Sequence, residues 1–188
     1  MSARIVKVFL SFVLFIINIP QVLSTEILQF ESGFSISIDI PENWQVTNED
    51  NIQISEMERS YTIGIRPSTN EMVSFVVTIG VSQDRLPLTS VQFDDLVGRW
   101  AEFHLSAGAR NENFIREVTI NELKITNGNS KYYLLNIPEG EWNHLLQYFA
   151  NYSNGFIVVS TFLYREKESV DIQLILNILS SIIPRFIE

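Results

Sequence analysis

Residues 34–40 (FSISIDI) alternate without a break, with Phe34, Ile36, Ile38 and Ile40 on one side of an extended chain and Ser35, Ser37 and Asp39 on the other. A strand sends successive side chains to opposite faces, so this segment is expected to be a half-buried strand. Pro41 removes a ladder donor and closes it, and Trp44 then enters from the turn Pro41-Glu42-Asn43. Further strands are expected over 51–55, 61–66 and 72–81. The period changes at Thr89. Phe93, Leu96, Val97, Trp100, Phe103 and Ala107 recur at three- and four-residue steps, which predicts an amphipathic helix over 89–107 with these six toward the core. Thr89-Ser90-Val91-Gln92 fits a capping box, Asp94 and Asp95 read as acids favouring the positive helix end, and Gly108 is the expected stop.

The second half is richer in strands, expected over 114–126, 131–137, 142–152 and 156–164, with Asn154-Gly155 as a tight hairpin turn between the last two. The segment FIVVSTFLY is apolar on both faces, with Phe156, Val158 and Phe162 opposed to Ile157, Val159 and Leu163. Such a strand belongs at the centre of a sheet covered on both sides. Ile172, Ile175, Leu176, Leu179 and Ile182 supply one cover as a closing helix over 169–182. The pattern predicts an α+β fold, an antiparallel β-sheet flanked by α-helices.

One apolar run stands apart from these periods. Val8–Ile19 (VFLSFVLFIINI) is 12 residues without a charge, preceded by Arg4 and Lys7 and followed by Pro20. A spanning helix needs about 20 residues, so the run has the length of a secretory signal core instead. Val22 and Ser24 occupy the −3 and −1 positions of a cleavage site reading VLS|TE. Residues 1–24 are therefore expected to be a cleavable signal peptide, and 25–188 one domain, since no linker, repeat or low-complexity tract divides them.

Loss of Arg4 and Lys7 with the leader moves the formal charge from −9 to −11. So acidic a chain argues against nucleic acid and anionic lipid as main partners, because both reward clustered Lys and Arg. An exported chain without cysteine has no disulfide framework, and it has no thiol at the cleavage point to carry a lipid anchor. A free, periplasmic or secreted domain held by burial alone is expected.

Several local words, F-x-I-x-I-P-E-N-W over 34–44, the mid-chain helix, the late hairpin and a final helix ending L-S-S-I, together resemble the PsbP-like superfamily. That group includes photosystem oxygen-evolving-complex subunits, Mog-type Ran-binding import factors and bacterial envelope proteins similar to DcrB. The resemblance implies an α/β/α sandwich and a binding or assembly role without a shared catalytic set. No family functional residue carries over.

Candidate chemistry is sparse. His104 and His144 are the only histidines, and with no thiol their spacing is no metal-ligand motif, so neither a metal nor another cofactor is expected. Each reads as an ordinary surface or capped histidine. No G-x-S-x-G elbow occurs, Asp94 and Asp95 diverge around their helix, and Asn127-Gly128-Asn129 lacks the lysine and helix of a phosphate loop. Trp44 and Trp100 read as core. Trp142 follows the turn Glu139-Gly140-Glu141 and precedes polar Asn143 and His144, which makes Trp142 and His144 the candidate contact for an envelope or extracellular protein partner. Asn151-Tyr152-Ser153 matches a glycosylation sequon, meaningful only in a eukaryotic secretory pathway. The expected function is a non-catalytic exported binding or assembly factor. The alternatives are a hydrolase pairing His144 with carboxylates, or a secreted effector.

Overall fold

The computed structural model describes residues 23–30, 33–49, 59–68, 75–82, 84–108, 118–136, 144–165 and 171–187. The strand expected over 51–55, the signal core and Trp142 lie outside these residues. The alternating FSISIDI segment forms β2 (Phe34–Pro41), whose four apolar residues are buried while the polar ones between them are half-exposed. It pairs antiparallel with β1 (Leu23–Phe30) on one side and β10 (Ile183–Phe186) on the other, giving a three-stranded sheet. Neither flanking strand is expected from periodicity. β1 buries little, because only Leu28 and Phe30 pack partly against the core.

The larger sheet has seven strands, in the order β3 (Trp44–Glu49), β4 (Arg59–Pro67), β5 (Phe75–Val81), β9 (Phe156–Tyr164), β8 (His144–Tyr152), β7 (Gly128–Asn136) and β6 (Asn121–Ile125). All its pairings are antiparallel. FIVVSTFLY, as its two-sided apolarity requires, is the fourth of seven. Residues 118–120 are not strand, so the strand expected from 114 begins only at Asn121 within the described chain. At the β8–β9 turn only Gly155 has a positive φ, +84°, and its N–H donates to the Tyr152 carbonyl at 3.0 Å. A Cβ there would fall 2.6 Å from the Arg85 carbonyl oxygen, so glycine is required twice over.

Helix α1 (Ser90–Gly108) starts with the expected box: the Gln92 N–H donates to Thr89 Oγ1 at 3.3 Å, and the Thr89 N–H to Gln92 Oε1 at 2.9 Å. Phe93, Leu96, Val97 and Ala101 pack with Tyr133, Leu135, Leu145, Phe149, Ile157 and Val159 on one face of the large sheet. Two expectations fail here. Phe103 is 61% exposed, and Leu163 is 38% exposed at the end of β9. Asp94 and Asp95 also lie beyond the first helical turn, too far along to cap it. They pair with Lys131 at 2.6 Å and Arg99 at 3.1 Å.

The opposite face carries the larger core. Strand alternation turns Phe156, Val158 and Phe162 toward Ile63, Ile65, Phe75, Val77, Ile79 and Leu146 of neighbouring strands, and toward Phe34, Ile36, Ile38 and Ile40 of β2. Helix α2 (Ile172–Ser180) adds Ile175, Leu176, Ile178 and Leu179, with Asp171 capping its start through the Leu174 N–H at 3.1 Å. This helix is shorter than expected. Ile182 lies past its end but is still buried, and the chain turns directly into β10. The second face is therefore covered by α2 together with a small sheet.

Candidate functional site

Strand parity decides what the two histidines can do. His144 opens β8 with the parity of Leu146 and Tyr148, which face the α2 side, while His104 packs with α1 on the other face. The sheet separates them. His144 is half-buried, its Nδ1 lying 2.7 Å from Asn136 Oδ1 and its ring stacked on Tyr164 at 4.9 Å and 18°. Tyr164 stacks in turn on Phe162. The ring thus ends an aromatic stack, with an amide oxygen as its polar partner, and Trp142 beside it falls outside the described residues.

His104 lies in a denser setting. Its Nδ1 is 2.9 Å from the Tyr133 hydroxyl, and its ring lies 5.7 Å from Trp100 and 5.4 Å from Phe103. Burial holds the His104 pKa below its ordinary value and pushes the Tyr133 phenol well up. Both shifts favour neutral forms, so a neutral phenol and an uncharged imidazole share one hydrogen bond, its donor set by the imidazole tautomer. Among the described residues no three His, Asp or Glu side chains come together in a way that could hold a metal ion.

The ring cluster reaches solvent at one point. Trp100 is half-buried against Phe149 at 6.3 Å, and Phe103 stands edge-on to it at 6.2 Å while remaining mostly exposed. Helical spacing aligns Phe103 with Trp100 and Ala107. The ring nevertheless stands outside the layer that buries Phe93 and Val97.

A cleft of about 610 Å³ lies between the start of α1 and the β6–β7 hairpin, lined by Ser90, Asp94, Glu122, Lys124 and Lys131 among others. Its central cation is already engaged, since Lys131 Nζ sits 2.6 Å from Asp94 and 3.8 Å from Glu122. The hairpin itself turns on Asn127, with φ +59°, as expected for a turn and not a phosphate loop. At the cleft margin Asn151 is 4% exposed. Its amide donates to the Leu88 carbonyl at 2.8 Å and accepts the Leu88 N–H at 3.0 Å. Buried and bonded to Leu88, Asn151 serves as a clamp inside the folded domain and not as a surface acceptor for a glycan.

An antiparallel β-fold with two helices arranged in this way is PsbP-like. The chain superposes on the solution structure of cyanobacterial PsbP (CyanoP) from Synechocystis sp. PCC 6803 with a TM-score of 0.50. The match covers 86% of this chain and 93% of that one at 13% sequence identity. No family model and no curated protein matches the sequence. Among the described residues, no helix is long and apolar enough to cross a membrane.

Proposed function

We propose that this chain is an exported, non-catalytic accessory protein that binds another protein of the envelope or exterior, and that its layers form an α/β/α sandwich with α2 and the small sheet on one side. The observation that carries the binding reading is the ledge at the solvent side of α1, where Phe103 lies 61% exposed on Trp100 and His104 although its helical position marks it for burial. Large aromatic rings held rigidly at a surface are the residues that dominate protein interfaces. The export reading rests on the leader of residues 1–24, and the PsbP-like fold supports an accessory role. Trp142 and His144 form the second contact in this reading.

The test is residue-specific crosslinking in the organism's own envelope, with a photoreactive side chain in place of Phe103 and, separately, of Trp142. A defined partner captured at either position, and lost when the neighbouring Trp100 is changed to Ala in the first case, is expected. Crosslinks that are diffuse and unaffected by that change would sink the reading. Among the described residues the contacts of His144 are an amide and a phenol ring, and these lend the hydrolase alternative no support.

A further inference from the structure

The bond expected to be cut when the leader is removed, between Ser24 and Thr25, lies inside β1 and not ahead of it. Leu23, Ser24, Thr25 and Glu26 pair in register with Pro41, Ile40, Asp39 and Ile38. Two side chains hold the same stretch: Ser24 Oγ donates to the Ile40 carbonyl at 3.3 Å, and Thr25 Oγ1 donates to Asp39 Oδ1 at 2.6 Å. Asp39 is itself anchored to the end of α2, its N–H donating to Ser181 Oγ at 2.8 Å. A protease must take the chain around the scissile bond as a free extended segment, and proteolysis of a folded protein accordingly follows the population of its opened state. In the folded domain, β2 already occupies one edge of that segment.

We propose that the Ser24–Thr25 bond is cut only while β1 is undocked from β2, and that cutting delivers a new α-ammonium at Thr25 to the Asp39 carboxylate, which locks the mature strand in register. This rests on the export reading above. In the cut, water adds to the Ser24 carbonyl and the C–N bond breaks. The oxygen stays with Ser24 as a carboxylate, and the Thr25 nitrogen leaves as an amine. An α-amino group has a pKa of about 8, so the amine is mostly protonated at neutral pH. The Thr25 peptide nitrogen becomes a cation on the residue paired with Asp39, whose carboxylate already accepts from the hydroxyl of the same threonine. The mature strand loses Leu23 and Ser24 from its eight residues and gains an ion pair at its new end. A charge at the start of an edge strand also discourages pairing with another chain.

The experiment uses the full chain, diluted from urea into detergent micelles containing signal peptidase, with the enzyme added either at the moment of dilution or after refolding is complete. Early addition is expected to give a product whose N-terminal sequence is Thr-Glu-Ile. Late addition is expected to slow cutting at least tenfold. Equal rates in the two orders, or a product starting elsewhere, would overturn the inference while leaving export intact. No cutting in either order would remove the export reading and this inference with it. The lock is read separately from Asp39→Asn, which is expected to lower the melting temperature of the mature domain more than that of the uncut chain. An equal drop in both would show that only the threonine hydroxyl matters and would refute the lock.

Discussion

The two faces of the seven-stranded sheet are held in different ways. On the α2 side the buried cluster is almost wholly apolar, and its buried serines, Ser130 and Ser160, each satisfy a main-chain carbonyl, at 2.6 and 2.9 Å. On the α1 side the cluster is smaller and two amides are buried in the same surface. Gln147, fully buried, donates to the Ser160 carbonyl at 3.0 Å and accepts from Thr161 at 2.8 Å, while Asn151 clamps Leu88. An apolar face tolerates small shifts because burial is non-directional, whereas an amide pair works in one geometry. Both helices are tied by bonds, α1 through Asn151 at Leu88 and α2 through Asp39 at Ser181, but the α1 side is the one with two amides buried in the sheet surface, and it also carries the exposed rings.

The largest effect that would test this contrast is expected from Phe156→Ala. The ring is fully buried and packs on Phe34 at 5.3 Å and Phe186 at 4.7 Å, so it joins the large sheet to β2 and β10 of the small one. Its removal should cost about 3–5 kcal/mol in urea unfolding. A loss below about 1 kcal/mol would mean that the small sheet is not part of the cooperative core. Asn151→Ala comes next, at about 2 kcal/mol, because it strands the Leu88 N–H and C=O together. If directional bonding positions α1, hydrogen exchange in residues 90–97 should speed up more than exchange in β5 and β9.

The pH dependence should divide the faces as well. His104 has its pKa lowered by burial, so the unfolded chain binds this proton more readily than the folded one. Its contribution is therefore complete above the unfolded value of 6.5 and is lost as pH falls below it toward the folded value. Thermal melts between pH 7.5 and 5 should show a drop that shrinks in His104→Phe, and an unchanged drop would place the titration elsewhere. The smallest effect on stability is expected from Phe103→Ala, within about 0.5 kcal/mol since the ring is mostly exposed. Partner capture should nevertheless fall. A large stability loss would instead return Phe103 to the core.

Much of this was legible in the residues. β2, β9, the start of α1 and the apolar run of α2 follow from periodicity and capping, because a period of two or 3.6 with one buried face leaves few alternatives. β1 and β10 escaped notice because edge strands bury too little for alternation to mark them, and β3 because WQVTNE is mostly polar. Of the candidate site, His144 falls within the strand expected over 142–152, but its partners Asn136 and Tyr164 come from other strands. Asn151 was read as a sequon since nothing local announces that Leu88, 63 positions away, uses both ends of its amide.

By itself, then, the sequence determined the elements whose faces are buried, the central place of FIVVSTFLY, the cap at Thr89 and the glycine at the β8–β9 turn, all set by short-range sterics and hydrophobic period. Tertiary structure alone decided that His104 and His144 fall on opposite sides of the sheet, that Phe103 overhangs its layer, and that Thr25 meets Asp39 inside a paired strand. Those outcomes depend on strand parity and register between distant segments, which no local pattern encodes.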